Sequence, residues 1–191
     1  MPPATLGTLT WLGALDHPEL LAESTFAALS GWAAVERQVA EAVVVAEIDP
    51  TLADTAAMTE AYGLPLAVSA NCVLVAGRRA GEERAAAAVV RATTRADVNN
   101  AVKRLLDVRK ASFLPMERAT EESGMEFGGI TPIGLPDGYR VLVDARVATP
   151  DPDAGDLVII GSGLRRSKLA LSGALLAALP GAELVDGLAL A

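Results

Sequence analysis

The sequence predicts an α+β fold organised around a mixed, curved β-sheet. Two observations carry that expectation. Apolar residues make up 51% of the 191-residue chain, enough for one substantial core. Helix-like and strand-like segments also follow one another without the regular alternation of a doubly wound sheet. No internal repeat and no dividing linker is visible, so residues 1–191 read as a single domain.

From His17 to Ser30 the apolar Leu20, Leu21, Phe26 and Leu29 recur at helical spacing, and Pro18 sits where a first turn tolerates proline. A second helical stretch, Val35 to Ala42, runs into Val43-Val44-Val45, which reads as a strand. Asp49-Pro50 breaks the pattern. Asp54 is placed to cap a helix from Thr55 to Tyr62, which Gly63 closes. The β-branched content rises from Leu66 to Ala76, and a second apolar run spans Arg84 to Thr94. The turn between them, Arg78-Arg79-Ala80-Gly81, makes the pair an antiparallel hairpin. Asp97 caps a helix from Val98 to Leu106, with Val98, Ala101, Val102 and Leu105 on one stripe. A short strand at Lys110 to Leu114 precedes a helix opened by Pro115 and ended near Gly124. Strands at Arg140 to Asp144 and Leu157 to Ile160 flank a loop holding Pro150, Asp151, Pro152 and Asp153. A helix from Ser172 to Leu179 stops at Pro180-Gly181.

Composition narrows the function. The single cysteine, Cys72, forms no internal disulfide and favours a reducing compartment. Met1 to Trp11 lacks the basic run and apolar core of a signal peptide. The apolar stretch Leu169 to Leu179 is too short to span a bilayer. A cytoplasmic protein without a membrane partner is the expectation. The net charge of -8 opposes nonspecific nucleic-acid binding. Charge is unevenly spread, however: residues 78–118 hold 10 bases against 5 acids, and residues 1–77 hold 1 base against 9 acids. Arg78, Arg79 and Arg84, with Lys103, Arg104, Arg109 and Lys110, could form a phosphate-facing strip or a locally paired, solvated face.

Common catalytic sets are excluded by count. His17 is the only histidine, so a His/Cys metal site lacks ligands and a cysteine nucleophile lacks a ready base. Neither Gly161-Ser162-Gly163 nor the glycines near 128 match a nucleophile elbow or a Walker loop. No metal and no cofactor is expected. The strongest local signal is the run Gly124 to Pro136, with Gly124, Gly128, Gly129 and Gly134 among Pro132 and Pro136. Glycines permit close backbone approach and prolines stiffen the path, so such a loop can aim N–H groups at a carbonyl or phosphate oxygen. It can equally be a convoluted connection over a barrel end.

This loop, Gly124-Met125-Glu126-Phe127-Gly128-Gly129-Ile130-Thr131-Pro132-Ile133-Gly134, resembles the T-G-Y-x-x-G-G-[VI]-[ST]-P-[FIL]-G signature of the YbaK/ProX family of aminoacyl-tRNA editing domains. Neighbouring pieces are collinear with that family: the helix at Thr55 to Gly63, the strand at Ala70 to Val75, the strand Val141 to Asp144, and the turn Gly161-Ser162-Gly163-Leu164-Arg165. The likeness covers roughly residues 50–180 and leaves 1–49 as a divergent N-terminal part.

The resemblance implies a barrel-like sheet with flanking helices and hydrolysis of the ester of mischarged tRNA, of the cysteinyl- or alanyl-tRNA(Pro) type. It implies the tRNA 3′ aminoacyl end as partner, with an aminoacyl-tRNA synthetase as a further candidate. The oligomeric state is left open. It assigns Gly128, Gly129 and Asn71 to catalysis. Thr131, Pro132, Gly134, Asp144, Gly161, Ser162, Gly163 and Arg165 would bind substrate; the charge pattern, for its part, offers Arg78, Arg79 and Arg84 for tRNA phosphates. One departure stands out. The family's K-[TS]-L-[VL] lysine falls on Asn71, which donates hydrogen bonds but brings no charge. Arg78 or Arg165 could supply that charge. Otherwise the chain could be a degenerate member that binds a tRNA end, a nucleotide or a synthetase without catalysis. An unrelated binding module is the third reading.

Overall fold

The computed structural model describes residues 5–191; the first four residues of the Met1–Trp11 stretch lie outside it. Strands β1 (Thr5–Leu6) and β2 (Leu9–Thr10) form a small hairpin, and β3 (Leu12–Gly13) follows. The helix expected from His17 starts later. Pro18 opens only a 3₁₀ turn, Pro18–Leu20, and Leu21 is extended at φ -123° and ψ 147°. Helix α1 (Glu23–Val35) then buries Thr25, Leu29 and Trp32. Glu36 is extended, so the second helical stretch splits there and resumes as α2 (Gln38–Ala42) before β4 (Val44–Glu47).

Capping signals read from the sequence hold. The Asp54 carboxylate accepts from the Ala56 and Ala57 amides at 3.1 and 3.5 Å and starts α3 (Thr55–Ala61). Strands β5 (Ala70–Arg79) and β6 (Glu82–Arg91) form the expected hairpin, in register from Ala70 opposite Arg91 to Arg79 opposite Glu82. Its turn is only Ala80-Gly81, with φ of +52° and +87°. That left-handed pair matches the strands' twist, and it draws Arg78 and Arg79 into the ladder. After β7 (Arg95–Ala96), Asp97 caps a π-helical turn, Val98–Val102, that tightens into α4 (Lys103–Leu106). Strand β8 (Ala111–Phe113) leads to α5 (Met116–Ser123), which Gly124 ends at φ +67°.

The remaining elements are β9 (Tyr139–Asp144), α6 (Ala145–Ala148), β10 (Leu157–Gly161), β11 (Ser167–Ser172), α7 (Gly173–Ala177), β12 (Ala182–Val185) and β13 (Ala189–Leu190). The sequence reading contained no strand at β11 or β12. The larger sheet is ordered β12-β9-β6-β5-β8 and mixed, because β9 runs parallel to both β6 and β12. The second is the antiparallel sheet β10-β11-β4-β3, and β13 pairs with β7. A parallel bridge between Ser69 and Ile159 joins the start of β5 to β10, so the two sheets meet along one seam. Leu29, Trp32, Val45, Val143, Ile160 and Leu169 pack on one side of that seam, and Ile48, Met58, Val68 and Ile159 on the other.

Candidate functional site

The cleft that opens at this seam has a volume of about 560 Å³. Its walls come from the start of α3 (Asp54, Thr55), the start of β5 (Ser69 to Val73), the end of β10 (Ile160, Gly161), and Phe127, Gly128 and Ile130 of the glycine–proline loop. Two sequence-predicted catalytic positions, Asn71 and Gly128, therefore face one space.

The loop owes its place to three glycines. The Gly129 amide donates to the Glu126 carbonyl at 2.9 Å, closing a four-residue turn with Gly128 at φ +84° in its third position. A side chain is strained there, which is why a type II turn calls for glycine. Gly129 lies against the next turn, where a Cβ would stand 2.5 Å from the Leu164 backbone. At Gly161 a Cβ would collide with the carbonyls of Gly129 and Ile130. Two backbone bonds lock the segments: Glu126 N–H to Gly163 O at 2.9 Å and Gly163 N–H to Gly129 O at 2.7 Å. Thus the Gly161-Ser162-Gly163 turn is the dock for the loop.

This packing redistributes the expected roles. The Gly129 amide is consumed inside its own turn and is not aimed at the cleft; the Gly128 amide has no partner among the described residues. Ser162 is fully buried, with its hydroxyl 2.8 Å from that of Ser167, so it braces the turn and does not line the cleft. Thr131 is fully buried, with no partner for its hydroxyl among the described residues. Pro132 and Gly134 line a separate groove with Trp32 and Leu135. Gly163, at φ +86°, packs on Ala22.

Asp144 is buried at the far end of β9. It accepts from the amides of Arg146 at 2.9 Å and Ala189 at 2.8 Å, and from the Arg146 guanidinium. Burial alone would raise its carboxyl. The Arg146 bonds and the Ala189 amide outweigh that and hold it below the usual carboxylate value. Asp144 caps α6 and does not line the cleft. Arg165 sits outside the loop, its guanidinium donating to Phe127 O at 3.0 Å and lying 5.8 Å from the Phe127 ring centre.

Asn71 stands in the cleft wall, its carbonyl oxygen accepting from the Thr55 hydroxyl at 2.8 Å. Its amide nitrogen has no partner among the described residues, so it can donate into the cleft. Ser69, only 3% exposed, also lines the cleft with an unpartnered hydroxyl. Burial pushes the Cys72 thiol up to about 12, which leaves it protonated and a poor nucleophile at neutral pH. His17 is absent from the lining. Among the described residues no three His, Cys, Asp or Glu side chains converge.

The sequence reading missed the cation of the site. Lys168, on β11, reaches the cleft and donates to Gly128 O at 2.7 Å and to Ala53 O at 3.1 Å. It is 7% exposed, and desolvation, with the nearby Arg165 charge, lowers its ammonium to about 8. The available signal was a lone lysine followed by Leu169 and Leu171 in an apolar run. Buried lysines of that kind are rare without a partner.

The three arginines expected on tRNA phosphates are engaged elsewhere. Arg79 and Arg84 both bind Asp107, and Arg78 lies 3.6 Å from Glu83, which also binds Arg118. Four bases of the island, Arg78, Arg79, Arg84 and Arg118, are thus ion-paired, whereas Arg95, Lys103, Arg104, Arg109 and Lys110 make no ion pair among the described residues.

No curated protein matches the chain. Among solved structures, one described as a candidate trans-editing enzyme for prolyl tRNA synthetase superposes with a TM-score of 0.66 at 20% identity. It covers 87% of this chain and 97% of that one. A second, described as a hypothetical protein, gives 0.67 at 21% identity over 83% and 97%. A third, a scaffold for computational epitope grafting, gives 0.66 at 19% over 87% and 97%. At these identities the likeness establishes the fold, including its mixed sheet and flanking helices. A family model described as the aminoacyl-tRNA editing domain matches residues 49–179, more than half of the chain. With its glycine–proline loop walling a cleft at the seam of this fold, the chain belongs to the aminoacyl-tRNA editing domain family.

Proposed function

We propose that the chain is a trans-acting ester hydrolase that removes a small amino acid, of the cysteinyl- or alanyl-tRNA(Pro) type, from a mischarged tRNA in the cytoplasm. The observation that carries this reading is the cleft itself. Its volume of about 560 Å³ lies in the range of small-ligand pockets, and it is walled by the Gly128 turn, with unpartnered donors at Asn71 and Ser69. The chemistry needs no protein nucleophile. Water, assisted by the free hydroxyl of the terminal ribose, adds to the acyl carbon. The ester C–O bond then breaks, the departing ribose oxygen takes a proton, and free amino acid leaves. The protein contributes position and a hydrogen-bonding pocket. Asn71 orients the ribose or the acyl group through its amide nitrogen. Side chains larger than the cleft allows are rejected by sterics.

The test is incubation with cysteinyl-, alanyl- and seryl-tRNA. Release of free amino acid above the uncatalysed rate is expected, with at least one small residue preferred over a large one. Binding of the tRNA end without release, even at enzyme excess, would instead make the chain a degenerate binder.

A further inference from the structure

We propose that Lys168 is the electrophilic group of this cleft, its ammonium bonding the carbonyl oxygen of the bound ester and neutralising the charge that collects there as water adds. The inference rests on the deacylase reading.

Geometry comes first. Lys168 stands opposite Gly161 in the β10–β11 ladder. Gly161 is the position where the absence of a side chain lets the Gly128 turn press against the sheet. The ammonium emerges beneath that turn and ties Gly128 O to Ala53 O, bridging two walls of the cleft. An ammonium has three hydrogens. Two are spent on these carbonyls, and no third acceptor exists among the described residues.

Charge adds a second reason. Lys168 makes no salt bridge among the described residues. The charged groups around it are Arg165, on the turn between β10 and β11, which repels it, and Asp54, at the start of α3, which partly offsets its charge. From β5 it faces the un-ionised thiol of Cys72 and the neutral Asn71 amide. A buried cation without a bonded counter-ion is expensive to hold, and developing negative charge is what such a group stabilises most strongly. Near neutral pH the group remains largely protonated, since its ammonium is lowered only to about 8. Its burial, at 7% exposure, favours a desolvated carbonyl oxygen over a hydrated phosphate. Asn71 lies in the same cleft, so the uncharged amide on β5 and the cation on β11 divide the work of one polar pocket.

The experiment is steady-state deacylation of cysteinyl-, alanyl- and seryl-tRNA by the wild type, Lys168→Met and Lys168→Arg, with background hydrolysis subtracted. Lys168→Met is expected to lower kcat about 100-fold or more with KM nearly unchanged. The wild-type rate should break at about pH 8 as the ammonium loses its proton, and Lys168→Arg, which stays charged, should retain activity without that break. Should Lys168→Met fail to fold, the wild-type and Lys168→Arg profiles decide alone. A wild type that deacylates with no break up to about pH 9.5, or a Lys168→Met loss confined to KM, overturns the assignment and leaves the deacylase reading intact. A wild type inert on all three substrates overturns the deacylase reading itself.

Discussion

Burial lowers the Lys168 ammonium to about 8, so holding its charged form is expected to cost the fold stability at neutral pH. Its proton affinity is lower in the native state than in the unfolded chain, so the unfolded state binds more protons between the two values. Stability therefore rises with pH across that window. Relative to Lys168→Met, which carries no titrating group there, the wild type is expected to gain about 2 kcal/mol between about pH 7 and about pH 10. Urea denaturation of both proteins at the two pH values checks this; a constant difference would mean that the ammonium is well solvated. Gly161 bears the opposite kind of constraint. Gly161→Ala places a methyl group on the Gly129 and Ile130 carbonyls. It should cost about 1–3 kcal/mol by the usual penalty of overpacking, read as a lowered denaturation midpoint. Legibility in the sequence divides along the same line. The glycine–proline run announced a special backbone, because only Gly and Pro carry such information locally. Lys168 was silent, because what makes it special is the carbonyls of residues distant in sequence.

Secondary elements were legible where one residue decides them. Asp54, Asp97 and Gly124 set helix ends by local hydrogen bonds or a left-handed backbone, and each acts where the sequence placed it. Asp54→Ala should lower stability by about 1 kcal/mol through loss of the α3 cap. Thermal melting checks this, and an unchanged midpoint would assign the cap no weight. Elements decided by distant partners were not legible. β11 is central in its sheet, between β10 and β4, and buried on nearly its whole length, so its apolar run merged with that of α7. β12 pairs in parallel with β9, a contact that no local turn signals. Asp144 ended a strand as expected, but its partners, Arg146 and Ala189, lie in α6 and β13. Asp144→Asn should therefore lower stability by about 1–3 kcal/mol while leaving ligand affinity unchanged.

At the scale of the whole molecule, the acidic balance and the paired arginines would set the terms of the proposed tRNA binding. Arg79, Arg84 and Arg118 are committed to Asp107, Glu83 and Glu122. Arg109 and Lys110, both exposed, make no ion pair among the described residues and share a groove with Arg78 and the exposed Phe113. Arg95, Lys103 and Arg104 also make no ion pair among the described residues, so the phosphate count stays low only for a tRNA that tracks this groove. The logarithm of tRNA affinity against that of salt concentration should have a slope of only about -2 to -3. A slope near about -6 would mean that bases outside the groove, Arg95, Lys103 and Arg104 or the internally paired arginines, meet phosphates as well. Recognition would centre on the acylated end, with the seam between the two sheets as its receptacle.

The most direct measurement is a crystal structure with a non-hydrolysable adenosine whose ribose carries a small amino acid through a 3′-amide. The acyl group is expected between the Gly128 turn and Asn71, its carbonyl oxygen within hydrogen-bonding distance of the Lys168 ammonium. Density for the analogue in the groove between Trp32 and Leu135, with the seam cleft empty, would contradict the account.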